Sequence, residues 1–145
     1  MRKAKHGDVI KVSRTKIPGT EIDLGMDLYN HYAIYVETPD GPHAIHYTSD
    51  YNSDFKGIVR ETSLEEFTQG TEYSVREFDR KKYPHVNSGE KTVELAREKI
   101  GQGKYHAIDN NCEHFAIECK TGRKDSSQTK ILEFLSMPLK IFEGV

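Results

Sequence analysis

A cysteine set at the opening of a helix is where this sequence could do chemistry. It lies in Asn110-Asn111-Cys112-Glu113-His114-Phe115. Asp109, Asn110 or Asn111 can cap a helix that runs to about residue 121 and stops at Gly122. A helix N-terminus presents unpaired N–H groups and the positive end of the macrodipole, and both favour a thiolate. The same N–H groups suit the oxyanion of a tetrahedral intermediate. Cys112 is therefore read as a nucleophile. Cys119, the second cysteine, falls mid-helix on the face of Cys112, Phe115 and Ala116, and is read as packing.

A thiol nucleophile needs a base. Of the seven histidines, three lie in or beside one apparent hairpin, and strand parity sorts them. His31 shares a face with Ala33 and Tyr35. A turn centred near residues 38–40 brings His46, with Ala44 and Thr48, to that same side. His43 falls on the opposite face with Ile45. His31 and His46 are thus expected to pair, one ring taking the thiol proton and the other fixing its tautomer. His31, His43, His46 and Cys112 are also metal-ligand types. Against a metal site, His43 points away, and positions 112 and 114 do not share a helix face; no metal is expected.

The elements that must hold these residues come strands first, helices second. Residues 7–12 read as a strand and 13–28 as a long loop. Residues 29–36 and 44–48 read as a hairpin around the turn 38–42. A short strand at 57–60 precedes a helical turn at 63–67 with capping-box spacing from Ser63 to Glu66. Residues 72–78 alternate as a strand, with Tyr73, Val75 and Glu77 on one face. Asn87 with Glu90 can cap a helix whose stripe is Val93, Ala96 and Ile100, ended by Gly101. Residues 105–107 read as a brief extended piece. Residues 130–142 are amphipathic and broken by Pro138. This order predicts an α+β fold, an antiparallel sheet with helices packed on one face.

The totals bound what remains. With 145 residues, one catalytic domain over 1–122 is expected, followed over 123–145 by a linker and an amphipathic segment packed on or beside it. Charged residues make up 30% of the chain, yet its 8 Tyr and 6 Phe argue against disorder. A net charge of −2 gives no general pull toward nucleic acid, and the runs Arg80-Lys81-Lys82 and Arg123-Lys124 are read as solvated surface. No apolar run follows the basic start, so no secretory signal is read, and none approaches the ~20 residues of a membrane span. On one helix Cys112 and Cys119 would be about 10.5 Å apart, beyond the roughly 7 Å of a disulfide, so a reduced, intracellular protein is expected. Phosphate loops, serine-nucleophile elbows and zinc-protease motifs are absent.

Asn111-Cys112-Glu113-His114-Phe115 resembles the cysteine signature of the lecithin:retinol acyltransferase-like group, which includes small thiol phospholipase/acyltransferases. Gly7-Asp8-Val9-Ile10 and His31-Tyr32-Ala33-Ile34-Tyr35-Val36 resemble its first two strands, and Asp40-Gly41 with His46 the turn and second histidine that follow. The resemblance spans about residues 5–122. It implies a permuted NlpC/P60-like, papain-like thiol hydrolase fold, with histidine before cysteine in the chain. It implies Cys112 as nucleophile, His31 as base and His46 as the third member, with Tyr29 and Asn111 supporting the oxyanion site. The turn between the histidines is three residues longer than the group's, which leaves His43 as a rival to His46 at the group's usual spacing.

The implied activity is a cofactor-free acyl transfer. An acyl-thioester forms on Cys112 from a lipid ester, and water or an acceptor resolves it. The implied partner is a lipid or acyl-ester substrate, with no nucleic acid. Peripheral membrane contact through residues 130–142 is the alternative to their packing on the domain. Two other readings stay open: a thiol peptidase or amidase, and a non-catalytic interaction module on the same fold.

Overall fold

The computed structural model describes residues 3–15, 21–25, 29–49, 57–102 and 112–123. The expected strand at 105–107, the cap at 109–111 and the segment 130–142 lie outside them. Five antiparallel strands form one sheet: β1 (Val9–Arg14), β2 (Tyr29–Thr38), β3 (Gly41–Ser49), β4 (Gly57–Ser63) and β5 (Ser74–Val75), in the order β4-β3-β2-β1-β5. The helices are α1 (Leu64–Thr68), α2 (Gly89–Glu98) and α3 (Cys112–Thr121). The class is α+β, as predicted.

β2 is the centre of the sheet, and its alternation builds two cores. Tyr32, Ile34 and Val36 face α2 and α3, packing with Val9, Ile45, Val93, Ala96, Cys112, Phe115 and Cys119. Ala33 and Tyr35 face the other way, with Ile10, Val12, Ala44 and Phe67. The two long helices thus share one face. The short α1 covers part of the other through Phe67, which is fully buried. The second layer arises because β4 runs three residues further than its sequence suggests. It delivers Ser63 as the α1 cap, whose hydroxyl accepts from Glu66 N–H at 3.1 Å.

The hairpin is longer than its apolar alternation. Ile34 pairs Ile45, Tyr35 pairs Ala44, and Glu37 and Thr38 still pair Pro42 and Gly41. Only Pro39 and Asp40 remain as the turn, with Thr38 Oγ1 donating to Gly41 O and accepting from Asp40 N–H. The ladder of β5 shrinks to Ser74 and Val75, although Arg76 N–H still donates to Val9 O. Tyr73 and Val75 pack on the second core, so Arg76 is turned toward α3.

α2 is capped by Ser88, which accepts from Lys91 N–H, and not by Asn87. Asn87 instead holds the C-terminal end of α3, donating to Cys119 O and Lys120 O. The start of α2 is pressed onto the β1 entry: a Cβ on Gly7 would come within 2.2 Å of Gly89 Cα. Ile100, expected in the apolar stripe, is 41% exposed, because α2 ends at Glu98. α3 stops at Gly122, at φ 79°.

Candidate active site

The register carries the histidines as parity requires. The β2–β3 pairing places His46 beside Ala33 and on the face of His31, and His43 opposite Val36 on the face of α2 and α3. His31 Nε2 and His46 Nδ1 lie 3.3 Å apart, with the rings perpendicular. Phe67 packs against both, its centroid 5.1 Å from His31 and 5.0 Å from His46. Arg14 lies over the far side of Phe67 and donates to Phe67 O and Thr68 O at the end of α1. His43 is turned to Glu61, Nδ1 to Oε2 2.8 Å, and Arg97 completes that cluster at 3.0 Å. Burial pushes the Glu61 carboxyl up, but the hydrogen bonds from Arg97 and His43 outweigh it and lower its pKa.

Hydrogen bonds around the pair are consistent with one tautomer set, in which the Thr62 hydroxyl faces Ser63 O. The Thr62 hydroxyl donates to Ser63 O at 3.1 Å, so its oxygen is left to accept from His46 Nε2–H at 2.9 Å. His46 Nδ1 is then unprotonated and accepts from His31 Nε2–H. In that set, and among the described residues, the lone pair left over is on His31 Nδ1. Both rings are neutral at pH 7. Burial, then the charges of His46 and Arg14, push His31 down from 6.5 to about 3. Burial, then Arg14 and Arg60, push His46 down to about 4.

Cys112 is the first residue of α3 and 7% exposed. Its thiol donates to Asn30 O at 3.6 Å, one residue before His31, and it packs with Tyr32, on the face opposite the histidine rings. Among the described residues no hydrogen bond joins the thiol to either imidazole. Burial pushes the thiol up to about 11. The N–H groups of Tyr32, Glu113 and Cys112 itself pull the other way, and the Glu113 carboxylate pushes further up. Cys119 is buried mid-helix, and burial raises it to about 12. Neither cysteine is in a disulfide.

The structure therefore brings His31 and His46 together and sets the Cys112 sulfur against the β2 backbone that flanks His31, at Asn30 O and Tyr32 N–H. Tyr29 begins β2, opposite Arg14, and only its backbone is described. Asn111 lies outside the described residues. His114 is half-buried on α3. Among the described residues no group of three or more His, Cys, Asp and Glu could hold a metal ion, and no helix is long and apolar enough to cross a membrane.

Three participants were not legible. Thr62 is missed when β4 is ended at residue 60; the longer strand gives it the parity of His46, through the pairings Thr62 with Ala44 and Arg60 with His46. Phe67 reads as ordinary helix core. Arg14 falls in what reads as loop. The alternation of residues 57–63 was the one available signal.

A hydrogen-bonded imidazole pair on two adjacent strands, β2 and β3, and a helix-opening cysteine against β2 define an α+β protein with a thiol–imidazole constellation. A model of the lecithin retinol acyltransferase family matches residues 2–125, and the chain belongs to that family. It is also similar to lecithin retinol acyltransferase of Bos taurus, 27% identical over 130 residues. That match covers 84% of this chain and 56% of the relative, so the chain spans little more than half the relative's length.

Proposed function

We propose that this chain is a cysteine-dependent acyltransferase or phospholipase that carries the acyl group of a lipid ester on Cys112. Family membership supports acyl transfer in general. The observation that carries the finer reading is the hydrogen-bonded chain His31–His46–Thr62, which in the tautomer set above leaves a lone pair on His31 Nδ1. That nitrogen takes the Cys112 proton, and the thiolate attacks the ester carbonyl carbon. The tetrahedral oxyanion is held by N–H groups at the start of α3. Its collapse breaks the ester C–O bond, and the departing alkoxide takes the proton back from His31. Water or an acceptor hydroxyl or amine then gives its proton to His31, attacks the thioester and releases the Cys112 thiolate, which recovers that proton. The first step requires the sulfur to leave Asn30 O and reach the imidazole, a rotation of one side chain or a small advance of the first turn of α3.

The name of the bovine relative couples a lecithin to an acyl acceptor. A phosphatidylcholine is accordingly the first donor to try here. Intact-mass analysis after incubation with phosphatidylcholine and with short-chain esters tests the reading. An acyl adduct mapped to Cys112, absent from C112A, is expected. A Cys112 that gains no acyl mass across a range of lipid esters overturns it, and cleavage of amide substrates by the same preparation would point to an amidase.

A further inference from the structure

Glu113 follows the thiol residue and is fully buried, a costly place for a carboxylate unless it is paired. Its partner is Arg76, from the segment leaving β5, in a short charge-assisted hydrogen bond. Tyr32 completes the arrangement. It hydrogen-bonds Glu113, and its ring lies 5.6 Å from the Arg76 guanidinium, with Phe78 at 5.2 Å from the same group. Three pieces of chain thus meet at one ion pair: the strand bearing His31, the segment after β5 and the first turn of α3. Tyr32 adjoins His31, and Glu113 adjoins Cys112. The packing around them is apolar, from Val9, Ile34, Val93 and Phe115, and would accept apolar side chains.

We propose that Arg76 and Glu113 are positioning residues for Cys112, seating the opening turn of α3 on β2 and balancing the charge that faces the thiol. The proposal rests on Cys112 being the nucleophile. Alone, the Glu113 carboxylate opposes a thiolate beside it, and the Arg76 guanidinium offsets that opposition. Among the described residues, the other groups toward the thiol are few. β2 contributes Tyr32, with His31 on its far side, and β3 contributes Tyr47. From β1 and α2 come only Val9, Val93 and Ala96. Tyr83 faces Arg76, and Lys99 faces Cys119 instead.

The test is the pH dependence of iodoacetamide alkylation at Cys112, read by peptide mass spectrometry on the folded full chain. Glu113→Gln leaves an uncompensated cation and should move the profile about one pH unit down. Arg76→Met removes the cation paired with Glu113 and should move it about one unit up. The double variant should return to within about 0.3 unit of the parent. Cys119, buried mid-helix, should stay unalkylated in the folded chain and serves as the internal control against unfolding. A brace acting through packing alone would shift both single variants in the same direction; that outcome, or no shift in either, overturns the proposal. Where one single variant does not fold, the other is read against the double, and identical profiles overturn it. Alkylation needs no lipid, so these profiles stand apart from the acyl-adduct test. An adduct with unmoved profiles refutes the positioning role alone; moved profiles without an adduct refute the acyl-transfer reading alone.

Discussion

The two faces of β2 hold the reactive groups in opposite ways. On one, two imidazoles are packed around Phe67, linked to each other and to Thr62, with every polar nitrogen but one committed. On the other, a thiol sits at a helix opening, among apolar side chains, with a backbone carbonyl as its acceptor. Burial acts on both and drives both to neutrality, lowering His31 to about 3 and raising Cys112 to about 11. With the two groups apart, moving the proton from sulfur to nitrogen is strongly uphill, since burial opposes both the thiolate and the imidazolium. Burial therefore cannot activate this thiol. What can lower the cost is direct contact between the developing thiolate and imidazolium, with the N–H groups of α3 on the sulfur. On the proposed mechanism the histidine pair is already hydrogen-bonded, whereas the thiol must exchange Asn30 O for the imidazole.

Experiments that break either face should separate them. Cys112→Ala should remove acyl transfer by more than about 10³-fold while leaving the thermal melt close to the parent, because a small buried side chain is replaced by another. On the proposed mechanism, His31→Gln should cost about 10² to 10⁴ in turnover, and His46→Gln less, about 10 to 100-fold, since there His46 orients the base. Steady-state kinetics on a soluble ester measures all three. Phe67→Ala should destabilise the fold by about 3–5 kcal/mol in urea denaturation, and should lower turnover by freeing both rings at once.

Acid sharpens the comparison further. The folded pKa values of His31 and His46 lie below the 6.5 of the unfolded chain, so the unfolded state binds more protons as pH falls. Their contribution to stability is fully present above about 6.5 and is lost progressively toward pH 3 to 4. Urea midpoints taken between pH 7 and 4 should fall, and should fall less in a His31→Gln, His46→Gln double variant. The smallest effect is reserved for the third histidine of the hairpin. His43→Gln should change turnover less than about twofold, because His43 is committed to Glu61 on the other face.

Much of this was legible in one dimension. Alternation in residues 29–48 fixed which histidines share a face, because a strand repeats every two residues whatever surrounds it. Ser63 with Glu66, and Gly122 after Thr121, marked helix ends by local chemistry. The exposed α2 terminus was misjudged, since Asn87 and Ser88 are both good caps and only the docking of Asn87 onto the end of α3 decides between them. Arg14, Thr62 and Phe67 escaped for a common reason: each reaches the imidazoles through a neighbour distant in sequence, and strand ends are set by pairing rather than by the residues of one strand.

Sequence alone determined the residue types, the helix-opening cysteine, the parity of His31 with His46, and the resemblance that family membership confirms. Those depend on local periodicity, capping and motif. Tertiary structure decided the rest. It decided that the imidazoles are held neutral by their surroundings, packed against Phe67. It decided that Cys112 rests on Asn30 O across the strand, because α3 docks on the face of Tyr32. And it decided that Glu113, one unremarked letter in the cysteine motif, is a buried charge held by Arg76. Burial and long-range pairing belong to the packed chain, and no spacing along the sequence encodes them one residue at a time.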